Sequence, residues 1–480
     1  MTLSSQTYLH YPVRSRPRPT NWGLAIFLLW LSVGPIATIV ITIADPETRM
    51  FQVETESVKG SARSGYFTGR SNASLAQLLE PTRTIIALYL MAFVLNGIIR
   101  KSFGSFNRTE LLMACFIVIL LSSALLKGNV LGLNLRVVSD AFIVPFLAYF
   151  IARRLITDED SYQKLIRSIV YMGFFMSLIC LPQRIIQGEL FNQIIGPFDT
   201  KTAQYMILVP AFFIVLSDYF QKSVSRSRRQ ISPVQRFVLY LVPLIILLTW
   251  SRGAWVGFVV GFGAFMFLGW RLLKRSQAFG LLGTALVFTI VMGIGIHEVA
   301  DELAEPLEQR GIYNTGTIYG RFANWKIAIN EGLRAPIFGI GLNRLREVLA
   351  TNEAVVVGVS NFGTARVHNS ILQILSEQGF LGFLVYMAIV ATIIGRGIGL
   401  KRTSLNPRDK CRGIAVVAIM GAYLMPAMFA STIHVPVPLA HLFAYAYFGA
   451  IAGRYGWGRS APNVYTRGTP ASHDKVMSWR

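Results

Sequence analysis

Three residues stand out for the chemistry their types could support. They are Arg252 in Thr249-Trp250-Ser251-Arg252-Gly253-Ala254-Trp255, Arg321 at the head of Arg321-Phe322-Ala323-Asn324-Trp325, and His368 in His368-Asn369-Ser370-Ile371-Leu372-Gln373. A guanidinium can hold phosphate oxygens bidentately, and an imidazole titrating near neutral pH can take a hydroxyl proton. As a set, two arginines and a histidine could neutralise a diphosphate leaving group, where another enzyme would use Mg²⁺, and activate a hydroxyl nucleophile. Each has a plainer reading when taken singly. An arginine at a membrane face snorkels to the headgroups, Arg321 alone is a solvated loop arginine, and His368 alone is a hydrogen-bonded structural histidine.

Other titratable groups add less. Glu377 lies nine positions after His368, on the opposite face of a continuous helix, which predicts a structural carboxylate with at most a supporting role. Arg136 and Asp140 have the i,i+4 spacing of an ion pair. Cys115, Cys180 and Cys411 show no CxxC spacing, and no His/Cys/Asp group has metal-ligand spacing, so neither a disulfide framework nor a metal or other cofactor is expected. Pro336-Ile337-Phe338-Gly339-Ile340-Gly341 superficially resembles the start of a nucleotide loop, but position 344 is Arg and no strand precedes it. A plain turn remains, with the alternative that its N–H groups face an anion.

The elements that must position these residues are apolar helices. Mean hydropathy is +0.49, and 53% of residues are hydrophobic against 15% charged, more apolar sequence than a soluble core can bury. Runs long enough to cross about 30 Å of hydrocarbon fall at about 22–43, 83–99, 110–126, 137–151, 165–182 and 204–220. A second series falls at about 237–250, 253–270, 279–297, 374–395, 413–431 and 438–453. The expectation is an all-α, polytopic membrane protein of about twelve spans.

The formal charge of +22 does not indicate nucleic acid, because the basic residues sit in short clusters between apolar runs. Every second connection is strongly basic: Arg153 and Arg154, then Lys222 to Arg236, then Arg271 to Arg275, then Arg396 to Arg412. By the positive-inside rule these connections and both termini are cytoplasmic. That divides the chain into a cytoplasmic segment 1–21, a transmembrane domain 22–453, and a disordered cytoplasmic tail 454–480.

Residues 298–370 then form the largest outer loop. It opens on Glu298, Asp301, Glu302, Glu305 and Glu308 and continues into an amphipathic segment, 321–331. Trp325, Ile329 and Leu333 recur at helical spacing, as in a helix lying on the bilayer or on the bundle. Gly253 is expected to provide the tight turn of a very short hairpin holding Arg252 at the outer bilayer surface, where a lipid-linked diphosphate would lie.

Taken in order, Ser251-Arg252-Gly253, Gly320-Arg321 with Trp325, Pro336 to Gly341, and His368 through Gly382 resemble the O-antigen ligase and polymerase superfamily of bacterial envelopes. The resemblance covers mainly residues 250–385. It implies an enzyme of lipopolysaccharide biosynthesis in the bacterial inner membrane. Such an enzyme moves a glycan from undecaprenyl diphosphate to an acceptor hydroxyl, on lipid A-core or another glycan, at the periplasmic face. Carried onto matching positions, Arg252 and Arg321 would bind the diphosphate and His368 would position or deprotonate the acceptor, with Asn369, Trp325 and Glu377 in support. A ligase is the leading expectation and a repeat-unit polymerase its rival. A transporter of lipid-linked sugar is the alternative of another class, disfavoured because no internal repeat is visible.

Overall fold

A computed structural model of the chain describes residues 22–32, 89–97, 99, 105–126, 139–186, 201–224, 231–249, 251–272, 283, 318–349, 367–429 and 441–456. These residues are helical or connect helices, with no strand among them. In chain order the helices are α1 (Trp22–Ser32), α2 (89–97), α3 (Arg108–Leu126), α4 (Val144–Leu155, entered through a π-helical turn Ser139–Ile143), α5 (Glu159–Ile186) and α6 (Lys201–Val224). There follow α7 (Pro233–Leu248), α8 (Arg252–Gly269), α9 (Ile318–Arg334), α10 (344–349), α11 (Ser370–Thr403), α12 (Pro407–Phe429) and α13 (Leu442–Arg454).

Six of them, α3, α5, α6, α8, α11 and α12, are long and apolar enough to cross a membrane, and α1 and α7 are shorter apolar helices. The described residues are therefore all-helical, with several helices able to span a membrane. The expected span at 279–297 apart from residue 283, about half of the expected loop 298–370, the segment 1–21, and the tail beyond 456 lie outside the described residues, as does Arg136. Where expected spans are described, several helices run further than hydropathy indicates: α5 begins at Glu159 and α11 extends from Ser370 to Thr403. A hydropathy window detects the hydrocarbon-matched stretch, whereas polar end turns continue the helix into the interface. Arg454, expected to open the tail, instead closes α13, and the Tyr455 N–H bonds the Ile451 carbonyl.

One end of the bundle is tied by ion pairs. Asn107 and Glu110 form a reciprocal cap on α3: the Glu110 N–H donates to Asn107 Oδ1 at 2.8 Å, and the Asn107 N–H donates to Glu110 Oε2 at 2.9 Å. The same Glu110 carboxylate pairs with Arg153 and Arg154 at the C-terminus of α4. Glu159, opening α5, accepts from Arg412 of α12 at 2.6 Å and pairs with Arg454 of α13. Arg412 is only 1% exposed and stacks 4.1 Å from the Tyr162 ring centre. Basic residues expected on one side of the membrane thus gather at one end.

Helices α8 and α12 pack closely through glycines. A Cβ placed on Gly257 would sit 2.5 Å from Pro426 Cγ and 2.6 Å from the Tyr205 hydroxyl, and one on Gly261 would sit 2.7 Å from the Ala418 carbonyl. Gly257 and Gly261 form a Gly-xxx-Gly face that lets two membrane helices touch backbone to side chain. This contact holds Arg252, at the start of α8, next to the far end of α12. Gly257→Val should lower the thermal midpoint of the detergent-solubilised chain, at a cost of about 1–3 kcal/mol from overpacking. Gly263→Ala, where an added Cβ meets nothing within 4 Å, should leave the midpoint unchanged or raise it slightly in the same melt.

Candidate functional site

Arg252 is the first residue of α8 and is exposed at the end of the bundle opposite the ion pairs. Thr249 closes α7, and Ser251 caps α8 by accepting a hydrogen bond from the Ala254 N–H. Gly253 lies inside the helix beside Pro426 and Phe429, so it does not make the turn expected of it. The cap and the Trp255 indole close the hairpin instead, the indole N–H reaching the Ile246 and Leu247 carbonyls at 3.0 and 3.1 Å. These carbonyls belong to the last turn of α7, where the regular i+4 donors run out, and the Thr249 hydroxyl adds a bond of 2.7 Å to the Ile246 carbonyl. Arg252 precedes Arg271 by 19 residues, which at 1.5 Å per residue is about 28 Å. If Arg271 marks one headgroup layer, Arg252 marks the other.

Arg321 lies in the first turn of α9. Arg321, Trp325, Ala328 and Gly332 occupy one face at i, i+4, i+7 and i+11 and turn inward, with Ala328 fully buried. Ile329 and Leu333, expected to share a stripe with Trp325, are exposed. They lie about 40° and 80° further round the helix than the indole, so the stripe straddles the boundary between two faces. Under the inward face Ala328, Leu345, Leu349 and Val367 form a small apolar core of their own.

Trp325 connects the parts of the site. Its indole N–H donates to the Val367 carbonyl at 2.9 Å, immediately before His368. Its ring lies 6.5 Å from that of Phe429 at the end of α12, and Phe429 Cβ is 4.0 Å from where Gly253 would carry a Cβ. Arg321 stands one turn before Trp325 on the same face. The structure thereby brings Arg252, Arg321 and His368 to one locality through a single aromatic side chain.

His368 has a φ of 49° and precedes α11, so the helical angle used to separate it from Glu377 does not apply. Left-handed backbone is uncommon outside glycine, with Asn, Asp and His the better-tolerated types. Asn369, 7% exposed, caps α11 by accepting from the Ile371 and Leu372 N–H groups, both at 3.0 Å. His368 is thus gripped from both sides, by a Trp-bonded carbonyl before it and a cap after it.

Further along α11 the helix breaks at Gly379, whose φ is 71° and ψ −174°. The Pro336–Gly341 turn closes the gap: Ile340 and Gly341 N–H donate to the Ser376 and Glu377 carbonyls at 2.9 and 3.1 Å, and Phe380 N–H donates to the Pro336 carbonyl at 2.6 Å. Ser123 of α3 donates to the Glu377 carbonyl at 2.7 Å. Gly339, at φ 69°, packs so closely that a Cβ there would overlap the Glu377 backbone, and a Cβ on Gly379 would lie 2.6 Å from the Gly339 nitrogen. Two of the turn's N–H groups are therefore occupied by a broken helix and do not face an anion. Fully buried Glu377 accepts from Gln373 at 3.2 Å and from the Asn343 and Leu345 N–H groups, which anchors α10.

Helices α8, α9 and α11 direct their N-termini to this region, and none has an acidic residue in its first turn. Helix N-termini carry partial positive charge and favour acids. Arginines in the first turns of α8 and α9 run against that preference and make the locality suited to an anion. Residues 237–387 match the family model described as O-Antigen ligase. Over this stretch the chain is similar to that family. No curated protein matches the chain. The matched stretch runs from α7 into α11 and contains Arg252, Arg321, Trp325, His368, Asn369 and Glu377.

The indole of Trp255 and the Gly339–Gly379 contact were not anticipated from the sequence. The one available signal for the latter was Gly379 inside an otherwise apolar helix, which reads as a break only with a partner in view. Trp325→Phe keeps the ring and leaves the Val367 carbonyl without its indole partner, at a cost of about 1–3 kcal/mol. A lower melting temperature with membrane insertion retained is the expected result. Gly339→Ala should cost more than Gly263→Ala, because it adds left-handed strain of about 1–3 kcal/mol to a backbone overlap. Paired thermal melts of the purified variants measure the difference.

Proposed function

We propose that this chain is a glycosyltransferase that moves a glycan from undecaprenyl diphosphate onto an acceptor hydroxyl, with lipid A-core as acceptor, at the periplasmic face of the inner membrane. The observation that carries the reading is the Trp325-centred contact set that gathers two arginines and a histidine at three helix N-termini, about one bilayer thickness from the basic end. Apolar helices long enough to span a membrane and the similarity of residues 237–387 to the O-Antigen ligase model support the general class.

In this mechanism Arg252 and Arg321 hold the diphosphate and offset the charge that grows on it, taking the role a divalent cation has elsewhere. His368 accepts the proton of the acceptor hydroxyl as its oxygen attacks the anomeric carbon. The bond from that carbon to the diphosphate oxygen breaks, undecaprenyl diphosphate departs, and the configuration inverts. Diphosphate is a good leaving group, so positioning and charge neutralisation supply most of the rate. Trp325 and Asn369 act by positioning His368, and Glu377 by anchoring the turn beneath α9.

Arg252→Ala and Arg321→Ala should each lower transfer about 10²–10³-fold, as loss of a charge-stabilising donor does. His368→Ala should lower it about 10²–10⁴-fold, with protein levels in the membrane unchanged. Transfer is read on gels of extracted lipopolysaccharide. In a strain deleted for the gene, core without O-chain together with accumulating carrier-linked polymer is the expected pattern. Core capped by a single repeat would make the chain a polymerase, and unchanged lipopolysaccharide would overturn the ligase assignment. Full activity in both Arg321→Ala and His368→Ala would overturn the site.

A further inference from the structure

The inward face of α9 belongs to the site, but its neighbouring face has no role in the mechanism above. Phe322, Ile329 and Leu333 are 56%, 41% and 72% exposed. At 100° per residue they fall within a stripe about 40° wide. Asn330 and Arg334 are exposed about 80–120° round from that stripe. The helix has three faces: one on the protein, one apolar and bare, and one polar.

The bare stripe continues onto the spanning part of α11. Gly332 packs against Leu375 and Ser376, which sets the end of α9 against α11 just above its break. Ile337, 62% exposed, follows in the turn that closes that break, and Phe380 and Leu384, 53% and 47% exposed, continue below. Phe380 precedes Lys401 by 21 residues, or about 31 Å of helix, which matches the hydrocarbon thickness. With Lys401 at one headgroup layer, Phe380 lies at the opposite hydrocarbon boundary. Leu333, beside Leu375 and Ser376, is then about 7 Å beyond it, counted along α11.

We propose that α9 is an interfacial helix whose Phe322–Ile329–Leu333 stripe lies in the headgroup–acyl boundary of the leaflet next to the site. Three observations select the bilayer as occupant: continuity with the lipid-facing side of α11, the height set by Lys401 and Phe380, and the polar flank of the same helix. Lys326 stands beside the stripe and is exposed, matching anionic phosphate headgroups; Arg334 pairs with Glu331 at 2.6 Å. Amphipathic helices of this form sink their apolar face about 5–10 Å into the headgroup–acyl boundary. The bilayer itself thereby sets the height of Arg321 and Trp325.

The test does not depend on transfer activity. The full-length chain, with exposed Cys115 replaced by Ser, is reconstituted in phosphatidylethanolamine–phosphatidylglycerol vesicles. Single probes are attached at Ile329→Cys, Leu333→Cys and Asn330→Cys, and quenched with nitroxide-bearing lipids or aqueous iodide. The first two should be several-fold more sensitive to the lipid quencher, and several-fold less to iodide, than the third. Equal iodide sensitivity at all three would overturn the proposal. So would shielding of 329 and 333 from both quenchers, since another protein segment or a second copy would then cover the stripe. As a check without substitutions, photoactivated diazirine lipids should label the 322–333 peptide of the unmodified chain; absence of that label is equally fatal.

Discussion

A fully buried carbonyl that loses its intrahelical donor has no water to turn to, and leaving it unbonded costs about 1–3 kcal/mol. The break of α11 at Gly379 creates this situation at Ser376 and Glu377, and the Pro336–Gly341 turn resolves it with two N–H donors while Ser123 adds a third. The arrangement of α9, α10 and the start of α11 depends on that exchange. Gly339 and Gly379 are the residues that let the two backbones meet, since a side chain at either would displace the other strand of the contact. Glu377 then extends the same joint, its carboxylate receiving the first N–H groups of α10. A turn bonded to one helix and leading directly from another fixes the angle between them, so the inward face of α9 is held against the Val367–Asn369 approach to α11.

The two ends of the bundle treat charge in opposite ways. At the ion-paired end, Glu110 serves two arginines and Glu159 serves Arg412 and Arg454, so cations drawn partly out of water meet carboxylates. At the other end, the first turns of α8, α9 and α11 contain two arginines and no acid. Cations there add to the helix dipoles where acids would compensate them. An anionic ligand would reverse the sign of that interaction, which gives the unfavourable placement a chemical reason.

Much of this was legible in the sequence because hydropathy and charge alternation report on single helices in lipid. The placement of Arg252 at a helix end away from the basic clusters and the helical character of 321–331 could be read that way. What failed depended on pairs of elements. Gly253 was assigned a turn because it follows Arg252 in a short hairpin, yet the Ser251 cap and the Trp255 indole close that hairpin and leave Gly253 helical. Trp325, Ile329 and Leu333 have the right spacing for one stripe, but spacing does not say which flank of a stripe meets protein. The segment with glycines at 339 and 341 reads as a plain turn, but nothing in a linear reading shows that it closes a helix broken 38 residues further on.

On the proposed mechanism, Trp325 couples the chemistry to the placement of α9. A tryptophan combines a large apolar ring with one N–H donor, and here the ring meets Phe429 while the N–H holds the Val367 carbonyl. Losing the donor would free the left-handed approach to His368; losing the ring would detach α9 from the end of α12, and with it the link toward Arg252. Because Arg321 shares the inward face, rotation of α9 by one residue position, about 100°, would carry Arg321 and Trp325 off the site together and bring the Phe322 stripe onto it. The helix therefore cannot adjust the arginine without also moving the group that orients the histidine. Rigid coupling of this kind suits a reaction whose rate comes from placing charge and reactants rather than from a strongly activated nucleophile.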